Sequence, residues 1–394
     1  MSLKLLHLLT SPHLGGAEQV CLSLAAEQQR RGHDVRLLVL MPGKVQQTAA
    51  RMGLPVISPE LPDGAVIGKH QFRARAAESL RRAAKEFTPN LVHSHVPLGN
   101  LLCSRVLPPI KLPWVTTAHG SYKQFAYAPV TVAKPYLKPY LLLRHAFGDW
   151  VTLRSAARVV TVSEYARQEL LSIGLPAAKI RTVLNGLPRP ANIMDRSAAR
   201  ATLGVAADAM LVGALGYFAP VKGFDILVRA FAVLQDNYPA LQLWIAGGDV
   251  LGDTSVRRSL QALITALCPG GRVRLLDTLD PKAGFLSALD LFVISSRTEG
   301  LPLSLVEAMQ HGKASVVSSA GGSAEAARPG LEGLVFESED PQSLAAQIDV
   351  LLRDPALRES LGRAAQARAF EYLTLKRCAA DYDAVYTEVC SSSI

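Results

Sequence analysis

The amino-acid sequence predicts an α/β fold of two doubly wound domains, each a parallel sheet covered by helices on both faces. Three observations predict it. Short strands rich in Val, Leu and Ile alternate with longer helical stretches throughout, the pattern of buried parallel strands joined by helical crossovers. The series begins afresh near the middle of the chain. The length of 394 residues also exceeds what one hydrophobic core usually organises.

The first series reads KLLHLL, DVRLLVL, LPVIS, NLVHSH, PWVTTAH, ARVVTVS and KIRTVLN as strands. Helical stretches such as AEQVCLSLAAEQQRRG and FRARAAESLRRAAKEF fall between them, with Gly32 as a terminator. The second series reads MLVGALGYF, LQLWIAGG, RVRLLD, LFVISS, ASVVSS and GLVFE. Between the two lies NGLPRPANIMDRSAARATLGVA, whose prolines and polar residues mark a seam. The expected domains are 1–190 and 191–372, with a terminal helix over 373–394 packing back across the seam. Open parallel sheets bind ligands outside the carboxyl ends of their strands. Two such sheets facing each other make the cleft between them the expected site.

Composition narrows the function. Half of the residues are hydrophobic and 19% are charged, which excludes a disordered chain. Five scattered cysteines (Cys21, Cys103, Cys268, Cys378 and Cys390) form no C-x-x-C pair, as expected of reduced thiols in a cytoplasmic protein. The opening MSLKLLHLLTSPHLGG reads as a first strand rather than a signal peptide, and no run is long enough to span a bilayer. Charge is uneven. Residues 1–200 hold 26 Lys and Arg against 11 Asp and Glu, a balance of +15, while the remainder carries −6. The first half therefore suits an anionic partner, a lipid surface or phosphorylated acceptor rather than nucleic acid, since few aromatics interleave the basic residues.

Several motifs carry chemistry. In TSPHLGGAEQV, Gly15 and Gly16 allow a sharp turn and close approach of a ligand to a helix N-terminus. The pair is not a G-x-G-x-x-G pattern, and a plain tight turn is the more frequent explanation for Gly-Gly. In GYFAPVKGFDILVRAF, Lys222 precedes Gly223 at the mouth of a helix, where a point charge can neutralise a diphosphate; a solvated surface lysine is the simpler alternative. In RTEGLPLSLVEAM, Glu299 lies in the loop after a buried strand and Pro302 suits the first helical turn. Glu307 lies one to two turns inside that helix. The eight-residue spacing of the glutamates spans roughly 12 Å or less, about the reach of a ribose–diphosphate–sugar. Carboxylates can accept from paired hydroxyls while the amides from Gly300 to Leu303 hold anions. Helix capping by Glu299, a solvent-facing Glu307, or a glycosidase-like carboxylate pair remain open on spacing alone. His93 and His95 face one side of a strand but have no third metal ligand, and Asp381-Tyr382-Asp383 is a D-x-D pattern inside a helical stretch.

The chain resembles the family-four glycosyltransferases of the GT-B fold nearly end to end. The resemblance rests on HLGGAEQVCLSLAAEQQRRGHDV, NLVHSHVPLGN, TTAHG, ARVVTVSEYARQEL, KIRTVLNG, GYFAPVKGFDILVRAF, LQLWIAGG, SSAGGSAEAARPGLEGLVF and, most specifically, EGLPLSLVEAM with its Glu-x7-Glu spacing. It implies a retaining glycosyltransferase that moves a sugar from a nucleotide-diphosphate sugar to a cell-envelope glycan or lipid-linked acceptor, of lipopolysaccharide, capsule or exopolysaccharide type. Glu307 would hold ribose hydroxyls. Glu299 with the amides of Gly300, Leu301, Pro302 and Leu303, the proline offering only its carbonyl, would line the donor sugar and phosphates. Lys222 would neutralise the diphosphate, Gly15 and Gly16 would approach it from the first domain, and His119 would sit near the anomeric carbon, with His119, Glu299 and Lys222 as the catalytic set. His93 would have a structural role, and His95 would stand near an acceptor.

The resemblance implies no cofactor and no essential metal beyond the nucleotide-sugar co-substrate. It departs at Tyr217, where the family commonly has Arg, and at Asp277, where a glycine is frequent near the base. The stretches KHQFRARAAESLRRAAKEF and YKQFAYAPVTVAKPYLKPYLLLRHAF suit a peripheral position on an anionic membrane, at its cytoplasmic face, as well as they suit ordinary helices with a solvated basic face. Two other readings stand beside the transferase: a nucleotide-sugar epimerase of the same fold, and a non-catalytic subunit that binds donor.

Overall fold

The computed structural model describes residues 2–59, 61, 69–120, 122–127, 135–250, 252–279 and 283–391. The chain divides into two compact units. The first comprises residues 1–122, 142–188 and 375–394, and the second residues 123–141 and 189–374.

The first unit holds a seven-stranded sheet in the order β3-β2-β1-β4-β5-β6-β7. Its strands are β1 (Lys4–Leu9), β2 (Asp34–Val39), β3 (Val56–Ile57), β4 (Leu91–Ser94), β5 (Trp114–Ala118), β6 (Arg158–Thr161) and β7 (Ile180–Thr182). Every ladder is parallel. The second unit holds six parallel strands in the order β10-β9-β8-β11-β12-β13. These are β8 (Met210–Leu215), β9 (Leu241–Ala246), β10 (Val273–Leu276), β11 (Leu291–Ile294), β12 (Ala314–Ser318) and β13 (Gly333–Phe336).

The sheets form because their strands bury side chains on both faces: Leu5, Leu6, Leu8 and Leu9 of β1 are all inaccessible to solvent, as parallel strands covered on both sides require. Each core sits between sheet and flanking helices. In the first unit, the helix Leu375–Ser391 lays Cys378, Tyr382, Val385, Tyr386 and Val389 into a core shared with the helix Gly16–Arg30 and with β1, β2 and β4.

In both sheets the strand order reverses beside the first strand of the series, so one crossover runs each way from β1 and from β8. The carboxyl ends of β1 and β4, and of β8 and β11, are the places where such a reversal opens a crevice. In the second sheet that position is occupied by the loops 216–223 and 295–302.

Candidate functional site

Two groups of side chains gather at these strand ends, one in each unit.

In the second unit the loop after β8 carries Lys222 and the loop after β11 carries Glu299. Lys222 Nζ donates to Glu299 Oε1 over 2.6 Å, although 77 residues separate them. Ser296 Oγ donates to the same carboxylate oxygen at 2.8 Å. Ser295 Oγ donates to the Lys222 carbonyl at 3.0 Å, tying one loop to the other. Glycines permit this approach. Gly223 has φ +61, and a Cβ there would lie 2.1 Å from the Ser295 carbonyl oxygen. Gly321, with φ +93, leaves room for the Glu299 backbone, and the Gly322 N–H donates to the Glu299 carbonyl at 3.1 Å.

The helix after this loop runs Leu303–Gln310, with Pro302 as its N-cap in an extended conformation. Pro302 thus precedes the first helical turn instead of lying in it, because its preceding loop is already anchored on Gly322 through Glu299. Glu299 does not cap the helix: its carboxylate is turned to Lys222 and Ser296. Gly300, Leu301 and Pro302 are buried and Leu303 is half-buried beneath it. Glu307 is also half-buried, one turn inside the helix, and does not occupy a fully solvated position.

Tyr217 stands 43% exposed after β8. Beside it the Arg257 guanidinium lies over the Phe218 ring, 4.3 Å from its centroid. Arg297, in the loop after β11, donates to both carboxylate oxygens of Asp225 at 2.9 and 2.7 Å, to Glu339 at 2.8 Å and to the Pro220 carbonyl at 2.5 Å. Burial alone would lower its pKa, and the bonds and charge of Asp225 and Glu339 outweigh that and raise it. Its charge is committed to holding the Lys222 loop. Asp277 pairs with Arg257 at 2.9 Å, and Arg257 also reaches Asp249 at 3.2 Å.

In the first unit Gly15 and Gly16 begin the helix Gly16–Arg30. Neither is in the left-handed region: Gly15 is extended at φ −100, so the expected sharp turn is not what selects glycine. Gly15 instead meets the side chain of Glu18. Its N–H donates to Glu18 Oε2 at 3.0 Å, and a Cβ there would lie 2.8 Å from that oxygen. A Cβ on Gly16 would meet nothing within 4 Å, which leaves the helix N-terminus open to close approach.

Four histidines meet at the carboxyl ends of β1, β4 and β5. His7 and His93 are register partners across β1 and β4. His95 and His119 follow the ends of β4 and β5. His7 Nδ1 lies 3.0 Å from His95 Nε2, and His95 Nδ1 lies 3.1 Å from His119 Nε2. His93 bonds Tyr386 through Nδ1 at 2.7 Å and Thr117 through Nε2 at 2.8 Å. Burial lowers the pKa of His7 and of His119 to about 4, and pushes those of His93 and His95 well down, so the rings are neutral near pH 7.

The donor atoms of His7, His93 and His95 lie within 4.8 Å of one another, and His7 supplies the third histidine that the strand NLVHSH lacks by itself. The geometry is nevertheless that of a hydrogen-bonded set. All six ring nitrogens face a partner. His95 is 2% exposed with both nitrogens engaged. It faces its neighbours and not an acceptor molecule, because β4 places it between His7 and His119. His93 is structural, linking strand to terminal helix.

The D-x-D pattern is structural as well. Asp383 pairs with Arg31 at 2.8 Å, Tyr382 is buried, and Asp381 faces Arg377 one turn away.

The sequence reading passed over His7 and Gln28. The signal for His7 was a lone polar residue inside the apolar run KLLHLL, which in a strand buried on both faces demands a hydrogen-bond partner. Gln28, on the buried face of the first helix, answers it with His7 Nε2 donating to Gln28 Oε1 at 2.8 Å.

Comparison with known proteins agrees with this layout. Residues 195–368 match the model for Glycosyl transferases group 1, and residues 14–189 match the model for Glycosyltransferase Family 4. The D-inositol 3-phosphate glycosyltransferase of Mycolicibacterium vanbaalenii is 28% identical over 375 residues, covering 89% of this chain and 80% of its own. The lipopolysaccharide core biosynthesis glycosyltransferase LpsE of Rhizobium meliloti is 35% identical over 162 residues, covering 41% of this chain and 45% of its own. Among solved structures, HepE of Anabaena in complex with UDP and glucose superposes with a TM-score of 0.82 at 21% identity, covering 98% of this chain and 99% of that one. Sucrose-phosphate synthase of Thermosynechococcus elongatus gives 0.83 at 20% identity, covering 99% and 100%. The chain thus has the GT-B fold of two Rossmann-like parallel sheets, with its second half similar to the glycosyl transferases of group 1 and its first half to Glycosyltransferase Family 4.

Proposed function

We propose that the protein is a retaining glycosyltransferase that transfers a sugar from a nucleotide-diphosphate sugar to a cell-envelope glycan or lipid-linked acceptor. One observation carries the reading: Lys222 and Glu299 converge at the strand-order reversal of the second sheet, on loops held together by Ser295, Arg297 and Gly321. A cation and a carboxylate at the mouth of a helix can serve the two ends of one ligand. Lys222 and the helix N-terminus stabilise a diphosphate, and carboxylates accept from sugar and ribose hydroxyls. The relatives named for sugar transfer, and a structural neighbour solved with UDP and glucose, support a nucleotide-sugar as donor.

In this reading the diphosphate takes over Lys222 from Glu299, freeing the carboxylate for the sugar. Glu307 holds the ribose from inside the helix, and His119 lies beside the reacting sugar. An acceptor hydroxyl attacks the anomeric carbon on the face from which the diphosphate departs. The bond from that carbon to the phosphate oxygen breaks, the new glycosidic bond forms, and the diphosphate carries away the acceptor proton. Stabilising the departing charge is the main demand, which suits preorganised donors. No metal is assigned a part.

The acceptor side of the reading rests on the helix Lys138–Leu153. Tyr140, Leu143, Phe147 and Val151 recur at helical spacing, and with Tyr136 they are 49–74% exposed. Such a stripe, with Arg144 and Arg154 exposed along the same helix and just past its end, suits an interfacial helix on an anionic bilayer. Residues 128–134 of the basic, aromatic stretch lie outside the described residues. Among the described residues no helix is long and apolar enough to cross a membrane. The proposed location is the cytoplasmic face of a bacterial membrane.

Replacing each glutamate tests the reading. Glu299→Ala should lower transfer by at least about a hundredfold, the scale of a lost transition-state contact. Glu307→Ala should chiefly raise the donor KM, by about ten- to a hundredfold for lost bonds to a charged group. Full transfer by both variants would refute the assignment.

A further inference from the structure

The proposed reaction uses His119 and leaves three buried polar residues behind it without a task. Gln28, His7 and His95 are 0%, 0% and 2% exposed, and burying polar groups is unfavourable unless each is paired. They are paired in series. Gln28 Oε1 lies 2.8 Å from His7 Nε2, His7 Nδ1 lies 3.0 Å from His95 Nε2, and His95 Nδ1 lies 3.1 Å from His119 Nε2. The rings meet edge to edge. Their centroids are 5.3 and 5.4 Å apart with interplanar angles of 23° and 24°, so each nitrogen–nitrogen line lies close to both ring planes, as a linear N–H···N bond requires.

A row of neutral imidazoles bonded end to end has only two arrangements, because each ring carries one proton and offers one lone pair. Either every ring donates through Nε2, or every ring donates through Nδ1. The residue that ends the row chooses between them. Gln28 turns its carbonyl oxygen to His7 and its amide nitrogen to Tyr386, at 3.2 Å. A carbonyl can only accept, so His7 is protonated on Nε2. His7 Nδ1 then accepts from His95 Nε2, and His95 Nδ1 accepts from His119 Nε2. The second branch agrees: Tyr386 accepts from Gln28 and donates to His93 Nδ1, so His93 donates through Nε2 to Thr117.

We propose that Gln28, His7 and His95 are positioning residues that fix the tautomer of His119 from the protein interior, holding Nε2 as donor and leaving Nδ1 as the acceptor that meets a hydroxyl. The chain spans from the helix Gly16–Arg30 to the end of β5 and needs no charged group. The lowered pKa values of the rings keep every link neutral near pH 7. The assignment of protons stands on the structure alone; its effect on turnover rests on the placement of His119 beside the sugar in the proposed function.

The two parts are tested separately. In protein labelled with ¹⁵N at histidine, scalar coupling across the hydrogen bonds should link His119 Nε2 to His95 Nδ1 and His95 Nε2 to His7 Nδ1, with the protons on the Nε2 atoms from pH 6 to 8. Protons on the Nδ1 atoms, or no coupling, would overturn the chain whatever the activity. Turnover is then compared in His95→Leu, which cuts the chain, and His95→Gln, whose amide can still donate to His7 and accept from His119. The expected result is a loss of about tenfold in kcat for His95→Leu at nearly constant donor KM, with most of it restored in His95→Gln. Gln28→Met, which removes the terminal acceptor, should behave like His95→Leu and serves if that variant does not fold. Equal losses in the leucine and glutamine variants would overturn the positioning role. Intact coupling combined with an active His119→Ala would instead refute the placement of His119 in the proposed function.

Discussion

Gly321→Ala tests how the site is held together. The residue is not itself a proposed ligand contact, yet it abuts the backbone of Glu299. Its φ of +93 is a conformation that L side chains rarely adopt, and a Cβ there would sit 2.5 Å from the Glu299 nitrogen, 2.6 Å from its carbonyl oxygen and 3.1 Å from its Cα. These are backbone atoms in a loop already fixed by the bond from the Gly322 N–H to the Glu299 carbonyl, so neither side can yield by rotating a side chain. The left-handed backbone costs about 1–2 kcal/mol for alanine, and overpacking of this kind adds about 1–3 kcal/mol. A total near 3 kcal/mol should lower the melting temperature of a unit of this size by about 6–12 °C. If the loop yields to relieve the contact, Glu299 moves with it. A displacement near 1 Å at a reacting group costs about a hundredfold in rate. Scanning calorimetry measures the first quantity and initial-rate transfer assays the second. A variant with an unchanged melting temperature and full transfer would show that Gly321 does not hold Glu299 in place.

Other perturbations separate stability from chemistry. Arg200, 2% exposed, donates to Asp290 and to the carbonyls of Ala206, Ala207, Ala209 and Ala288; Arg200→Met should cost about 3–5 kcal/mol in chemical denaturation, while the donor KM of the folded fraction stays constant. His7 gives a pH signature. Its folded pKa of about 4 lies below the unfolded 6.5, so its contribution is whole above pH 6.5 and is lost as pH falls toward 4. Between pH 7 and pH 5 it should amount to about 2 kcal/mol, seen as a steeper loss of urea stability in the wild type than in His7→Gln; equal losses would refute it. The double variant Leu143→Asp with Phe147→Asp should reduce sedimentation with phosphatidylglycerol vesicles at least tenfold, with no change in melting temperature, since both side chains are exposed. Unchanged vesicle binding would remove the helix from the membrane reading.

The strands were legible because burial on both faces forces a run of apolar residues, and that run is visible without knowing any partner. KLLHLL, NLVHSH and LFVISS each become a strand of the expected sheet. Lys222 and Glu299 were legible as residues of loops at strand ends, and the sheet topology then accounts for their meeting. What the sequence could not display is which side chains a reversal in strand order brings together. His7, Gln28 and His119 are far apart in the chain, and their alignment depends on β1, β4 and β5 being neighbours in register. The Gly15-Gly16 pair also suggested a sharp turn, whereas neither residue has a positive φ. What the structure shows at Gly15 is Glu18 folding back onto its amide, a contact that no composition rule anticipates.

The same reasoning explains why Tyr217 need not mark a failed site. A second cation beside Lys222 would raise the local positive charge, but it would also need its own anchor. The guanidinium at this strand end, Arg297, is instead saturated by Asp225, Glu339 and the Pro220 carbonyl, and its backbone N–H donates to Val221 at 2.8 Å. It fixes the loop on which Lys222 stands. Charge that holds a lysine in one place contributes to binding an anion without touching it, because a preorganised donor spends less on reorganisation when the charge develops. Arg297→Gln should therefore weaken catalysis through Lys222: kcat falls while Lys222→Ala in the same background adds little further loss. Independent, multiplicative losses in the double variant would show that the two cations act separately.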